Sequence, residues 1–168
     1  MRAELGVGLP GWVLRASIVV VAAGAAWVLA LNGVDWPALA LYGALVLAAA
    51  AIPASAAVAL IIGYPAAAMV FATDEPSWPG VFVLVVLLHL LHVLSAYAAV
   101  LPIGSRIHPA ALKAPAKRFV AVQLSVLAFG VVVLLLPGGR TDAAVEVVGL
   151  VCAVGLVVGT VLLMRRKG

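Results

Sequence analysis

The sequence predicts an all-α polytopic transmembrane bundle, and three observations carry that prediction. Hydrophobic residues make up 67% of the 168 and charged residues only 10%, whereas soluble domains are about half apolar and about a quarter charged. The apolar residues form continuous runs, such as Gly80–Leu88 and Phe129–Leu136, not the two-residue alternation of barrel strands. The charges collect between the runs. A soluble fold of this size has no interior for so much apolar surface, while a helix in lipid satisfies its backbone polar groups internally.

Six spans follow in order, each judged against the roughly 20 residues that cross a bilayer core. The first covers residues 12–31 and ends in the polar turn Asn32-Gly33-Val34-Asp35. Arg2 and Arg15 precede its apolar run, but the run is longer than a signal-peptide core and no small-x-small cleavage site follows, so a retained helix is expected. The stretch Trp36–Thr73 is uncharged and too long for one helix. Pro53-Ala54-Ser55 divides it nearly evenly into spans at 36–52 and 56–72, with Pro65 a kink inside the second of these. A five-span alternative takes the stretch across once.

An acidic turn with Asp74, Glu75 and Trp78 leads to a fourth span at 80–100. Leu101–Lys117, rich in proline and bases, reads as the one sizeable hydrophilic loop. The fifth span is expected at 118–136, the turn Pro137–Asp142 follows, and the sixth span runs over 143–164 before Arg165-Arg166-Lys167.

Charge placement orients these spans. With six crossings and a cytoplasmic N-terminus, Arg2, Arg15, Arg106, Lys113, Lys117, Arg118 and the terminal bases fall inside. Arg140 alone among the bases falls outside, with Asp35, Asp74, Glu75 and Asp142. That partition satisfies the positive-inside rule and implies that both termini are cytoplasmic, in a multi-pass protein of the cell (inner) membrane. The net charge of +4 is thus an orientation signal; no nucleic acid is expected as a partner. Trp12, Trp36 and Trp78 fall at span ends, where indole favours the headgroup region.

Small residues four apart suggest close helix packing. Ala40, Ala44 and Ala48 form one strip, Ala59, Gly63 and Ala67 a second, and Gly155 with Gly159 a third. Each serves either packing within the bundle or docking of another subunit or a second copy.

The candidate site is a histidine pair. His89 and His92 lie three residues apart, on one face and near the middle of the fourth span. Ionisable residues at that depth face protein or water and point to function by default. One reading is structural: neutral imidazoles bonded across helices to Gln123, Ser125, Ser95 or Tyr97. A second is a metal or haem site, with Cys152 a further ligand if the fourth and sixth spans touch. One haem cannot take both histidines axially, because axial ligands approach from opposite faces. A third reading is proton transfer. No cofactor is required by the sequence. His108 reads as a solvated loop residue.

The run His89-Leu90-Leu91-His92-Val93 resembles a stretch of cytochrome c oxidase subunit III, which carries His-x-x-His-Val in a late transmembrane helix. The resemblance covers these five residues; Arg118–Gln123, where the next helix begins, lacks that family's aromatic, histidine and aspartate residues. It implies a non-catalytic accessory subunit. The residues themselves lead to the same expectation, since the chain carries no P-loop, Gly-x-Ser-x-Gly, His-Glu-x-x-His or CxxC motif. An accessory or scaffold subunit is therefore expected, with the lipid bilayer and other membrane subunits as partners. The alternative is a metal- or haem-binding or proton-coupled carrier built on His89 and His92.

Overall fold

The computed structural model describes residues 8–73 and 77–135. The chain divides into two units, Met1–Gly130 and Val131–Gly168, and the architecture below is that of the first. The sixth span expected at 143–164 lies outside the described residues, as do Cys152, the Gly155/Gly159 pair, Asp74, Glu75 and the terminal bases.

Among the described residues the chain forms five helices: α1 (Trp12–Leu31), α2 (Trp36–Ala51), α3 (Ala57–Phe71), α4 (Trp78–Val100) and α5 (Pro109–Leu135). Two short strands, β1 (Leu9–Pro10) and β2 (Arg106–Ile107), pair antiparallel. Three helices, α1, α4 and α5, are long and apolar enough to cross a membrane, while α2 and α3 are shorter apolar helices.

Local chemistry explains the boundaries. At the end of α1, Gly33 adopts a positive φ of 85°. The Gly33 N–H then reaches the Ala30 carbonyl and the Val34 N–H the Leu29 carbonyl, both at 3.1 Å. These are the two bonds of a Schellman stop, and glycine is the residue that takes the left-handed position without strain. α2 opens with Trp36-Pro37 and α4 with Trp78-Pro79. Proline fits a first helical turn, where its missing N–H would have had no intrahelical partner. The break between α2 and α3 falls at Pro53-Ala54-Ser55, and Pro65 sits inside α3, where the sequence puts both.

The fifth helix corrects the sequence reading. α5 starts at Pro109, so residues 109–117 are helix and not the second half of a loop. Pro109 opens the first turn, the Ala110 N–H donates to His108 Nδ1 at 3.3 Å, and the Ala111 N–H donates to the His108 carbonyl at 2.9 Å. His108 therefore caps the helix. The Ala-Leu-Lys-Ala sequence that follows favours helix regardless of its polarity; span length was read from hydropathy, which does not report helicity.

α1 is the central helix. It packs along α4 and α2 and also touches α3, which in turn packs on α2 and α4. Its buried residues Leu14, Ile18, Ala22, Ala25 and Leu29 follow the helical repeat. Tyr42, Val46 and Ala49 of α2 do likewise, as do Leu84, Leu91, Ser95 and Ala98 of α4. Each helix thus buries one narrow stripe. Between α2 and α3, Tyr42 and Tyr64 stack with ring centroids 5.7 Å apart, and the Tyr64 hydroxyl donates to the Ala38 carbonyl at 2.8 Å.

Polar contacts tie the helix ends together in two groups. At one end, Asn32 Oδ1 accepts from the Ser77 N–H at 2.9 Å and the Ser77 hydroxyl at 2.8 Å, joining the end of α1 to the start of α4. At the other, Arg15 donates to the Ala51 carbonyl at 3.2 Å, so the start of α1 meets the end of α2. The β1–β2 pairing and a 2.8 Å bond from the Gly11 N–H to the Ser105 carbonyl bring the segment after α4 to this same end. A Cβ at Gly11 would stand 2.5 Å from the Pro102 carbonyl oxygen, so only glycine allows that approach. Arg15, Arg106, Lys113, Lys117 and Arg118 belong to this second, basic end, while Asp35 belongs to the first.

The outward faces are apolar. Phe71 is 86% exposed, Trp36 78%, and Val20, Trp27, Val100 and Phe129 are similarly open. Exposed apolar surface on this scale suits lipid and not water. The small-residue strips lie on this outward surface too: Ala40, Ala44 and Ala48 are all exposed, as are Ala59, Gly63 and Ala67. The packing within the bundle uses Tyr42, Val46 and Ala49, and Ile61, Pro65 and Ala68, instead.

Candidate functional site

α4 and α5 run antiparallel and touch at two levels. Deeper along the pair, Gly130 faces the Phe82 ring so closely that a Cβ there would collide with it. Nearer the middle, His89 Nδ1 and Gln123 Oε1 are 2.9 Å apart. The His89 and Phe119 rings lie beside that bond, with centroids 4.7 Å apart and planes tilted by 35°. From there to the basic end the helices part, leaving a crevice of about 540 Å³. Its walls include His89, His92, Val93, Ala96, Tyr97 and Val100 on one side and Ala111, Leu112, Pro115, Arg118, Phe119 and Val122 on the other.

The hydrogen bond sets the chemistry of His89. An amide oxygen only accepts, so Nδ1 is the donor in this bond. Gln123 is 6% exposed, and its amide nitrogen has no hydrogen-bond partner among the described residues. Pro115 has no N–H with which to bond the Ala111 carbonyl in the preceding turn, and both residues line the crevice.

The sequence-derived candidates are brought together in part. His89 and His92 line the same crevice, as their three-residue spacing implies. Of the four partners considered for them, Gln123 is the one in hydrogen-bond contact, while the Ser125 hydroxyl donates to its own helix at Ala121. Ser95 is buried with its hydroxyl unpaired among the described residues. The two histidines differ in burial: His89 is half-buried and His92 is exposed. The cause is the splay of α5. Contact with α4 is made at His89, and one turn further on the crevice is already open.

For a metal, the arrangement offers two imidazoles. Among the described residues no group of three His, Cys, Asp or Glu side chains gathers anywhere, and Cys152 lies outside them. Sequence reasoning missed Phe119 and Arg118 as part of the site. Their signal was helical spacing, because Pro115, Phe119 and Val122 recur at intervals of four and three and share the crevice-lining face of α5.

No family model, curated protein or solved structure matches this chain.

Proposed function

We infer that this chain is a multi-pass protein of the cell membrane that acts as an accessory or scaffold subunit of a larger membrane assembly, without catalysing a reaction itself. The carrying observation is the outward position of the strips Ala40/Ala44/Ala48 and Ala59/Gly63/Ala67. Small residues at that spacing let another helix approach closely, and packing among the described helices leaves them uncommitted. The short connections add support: residues 32–35, 52–56 and 101–108 are the stretches between consecutive helices that are described throughout. Recognition then falls to the lateral, lipid-facing surface.

Six crossings with cytoplasmic termini go with this reading. The strand pairing joins residues on either side of α1–α4 at one end, which fits an even number of crossings between them. At ~1.5 Å per residue, α2 and α3 are about 24 and 23 Å long, somewhat short of the roughly 30 Å hydrocarbon core, and local thinning accommodates such a mismatch.

Native mass spectrometry from mild detergent tests the subunit role. The wild type is expected in an assembly of fixed stoichiometry, with other membrane subunits or with further copies. The double variant Ala44→Leu/Gly63→Leu should dissociate while its melting temperature as a monomer holds. A wild type that is monomeric in every mild detergent contradicts the reading. The second reading, a metal- or haem-binding or proton-coupled carrier, draws its support from His89 and His92 lining one crevice.

A further inference from the structure

We propose that the crevice between α4 and α5 is a binding site for one acyl chain of an anionic phospholipid from the leaflet at the basic end. Four observations converge on this occupant. The first is depth. The lining of the crevice runs from His89 to Leu101, twelve residues apart in sequence, or about 18 Å at 1.5 Å per residue. One leaflet of a hydrocarbon core of roughly 30 Å is about 15 Å thick, so the cleft has the depth of a single leaflet.

The second is the wall. Val93, Ala96, Val100, Leu112 and Val122 supply aliphatic surface, and the cleft opens sideways between two helices whose outer faces are apolar. A volume of about 540 Å³ lies within the range of small-molecule pockets, and it suits one chain with the rest of the lipid outside. The His89–Gln123 bond and the Phe119 ring bridge α4 and α5 at the inner end of the lining, where a chain entering from the leaflet would meet them.

The third is charge. Arg118 lines the cleft, and Lys117 and Lys113 precede it by one and five positions on the same helix, both exposed. Asp35 is the one carboxylate among the described residues, and it belongs to the opposite end. These cations face no carboxylate among the described residues; Lys113 is nearest the opening, and Arg118, five residues deeper along α5, reaches a phosphate by extending its long side chain toward the basic end. A guanidinium pairs with phosphate through two parallel N–H bonds, more specifically than an ammonium does. The fourth is polarity inside the cleft, where Tyr97, eight residues from His89 toward the opening, lines the wall and offers a hydroxyl toward ester oxygens below the headgroup.

The site is independent of the small-residue strips on α2 and α3, so its test uses the purified chain alone. The protein is reconstituted into nanodiscs of a zwitterionic phospholipid doped with an anionic one, and retained lipids are read by native mass spectrometry. One anionic phospholipid per chain, enriched severalfold over its share of the bilayer, is expected. Arg118→Gln should reduce the enrichment about fivefold, the equivalent of about 1 kcal/mol for one base at the membrane surface. Ala96→Phe, which fills the cleft from its exposed wall, should abolish retention of any bound lipid while the melting temperature holds. Lys113→Gln should weaken the anionic preference less than Arg118→Gln. Retention unchanged by Ala96→Phe would put the lipid elsewhere and overturn the proposal. So would equal retention of zwitterionic lipid, or a bound free fatty acid or detergent in place of a phospholipid.

Discussion

Ala25→Leu is expected to destabilise the folded chain by about 1–3 kcal/mol and to pry α1 from its neighbours. Ala25 is fully buried on the central helix, in line with Ile18, Ala22 and Leu29, which are also inaccessible. Lipid tails solvate a leucine side chain as well as any protein interior does, so transfer into the bundle brings no compensating gain. What remains is steric: the extra atoms need space that a close-packed core does not have. The same substitution on an outward strip, Ala40→Leu, changes the same atoms where α2 is exposed and should leave the isolated monomer within about 0.5 kcal/mol of wild type. Denaturation of purified monomer in detergent measures both. Equal effects at the two positions would mean that α1 is not the packed centre.

Gln123→Leu is expected to cost about 1–2 kcal/mol, because it leaves the His89 N–H without its acceptor in a partly buried position. His89→Leu should cost a similar amount. The double variant should recover most of either loss, since removing both partners strands neither, and this coupling is the signature of a direct bond. His89→Gln should be mild, because an amide can replace the imidazole as donor. His92→Leu, at an exposed position, should cost less than His89→Leu. A metal site would behave differently. Either histidine substitution alone would then remove near-stoichiometric metal, as losing one of three or four ligands destroys the geometry. Metal analysis of the same purified variants separates the two patterns.

The contrast between His89 and His92 shows what the sequence carries and what it does not. Their common face follows from three-residue spacing, and the shared crevice agrees. Which of the two meets a partner depends on where α5 leaves α4, and a crossing of two helices has no local sequence signal. Gln123 was one of four polar candidates for the same reason. The helices themselves were more legible. α1 runs over 12–31 because Asn32-Gly33 stops it, and α2 parts from α3 at Pro53. Both are matters of backbone chemistry within a few residues. α4 starts two residues before its expected position because Trp78-Pro79, read as a turn, is a first helical turn. The β1–β2 clip joins two-residue strands, too short for any periodicity to announce, and it depends on a chain reversal nearly a hundred residues long. The small-residue strips were visible in the sequence, but their outward direction depends on which stripe of each helix the neighbouring helices take.

Two crossings by residues 36–73, as proposed, place Asp35 at one face of the membrane and both Ala54 and Lys113 at the other. Single cysteines at these three positions, in a Cys152→Ser background, can be reacted in intact cells with a membrane-impermeant thiol reagent. Asp35→Cys is expected to be labelled from outside, and Ala54→Cys and Lys113→Cys only once the membrane is opened. An Ala54→Cys site inert on both sides, together with an Asp35→Cys site protected from outside, would mean one crossing and contradict the bundle. A Lys113→Cys site labelled in intact cells would reverse its orientation.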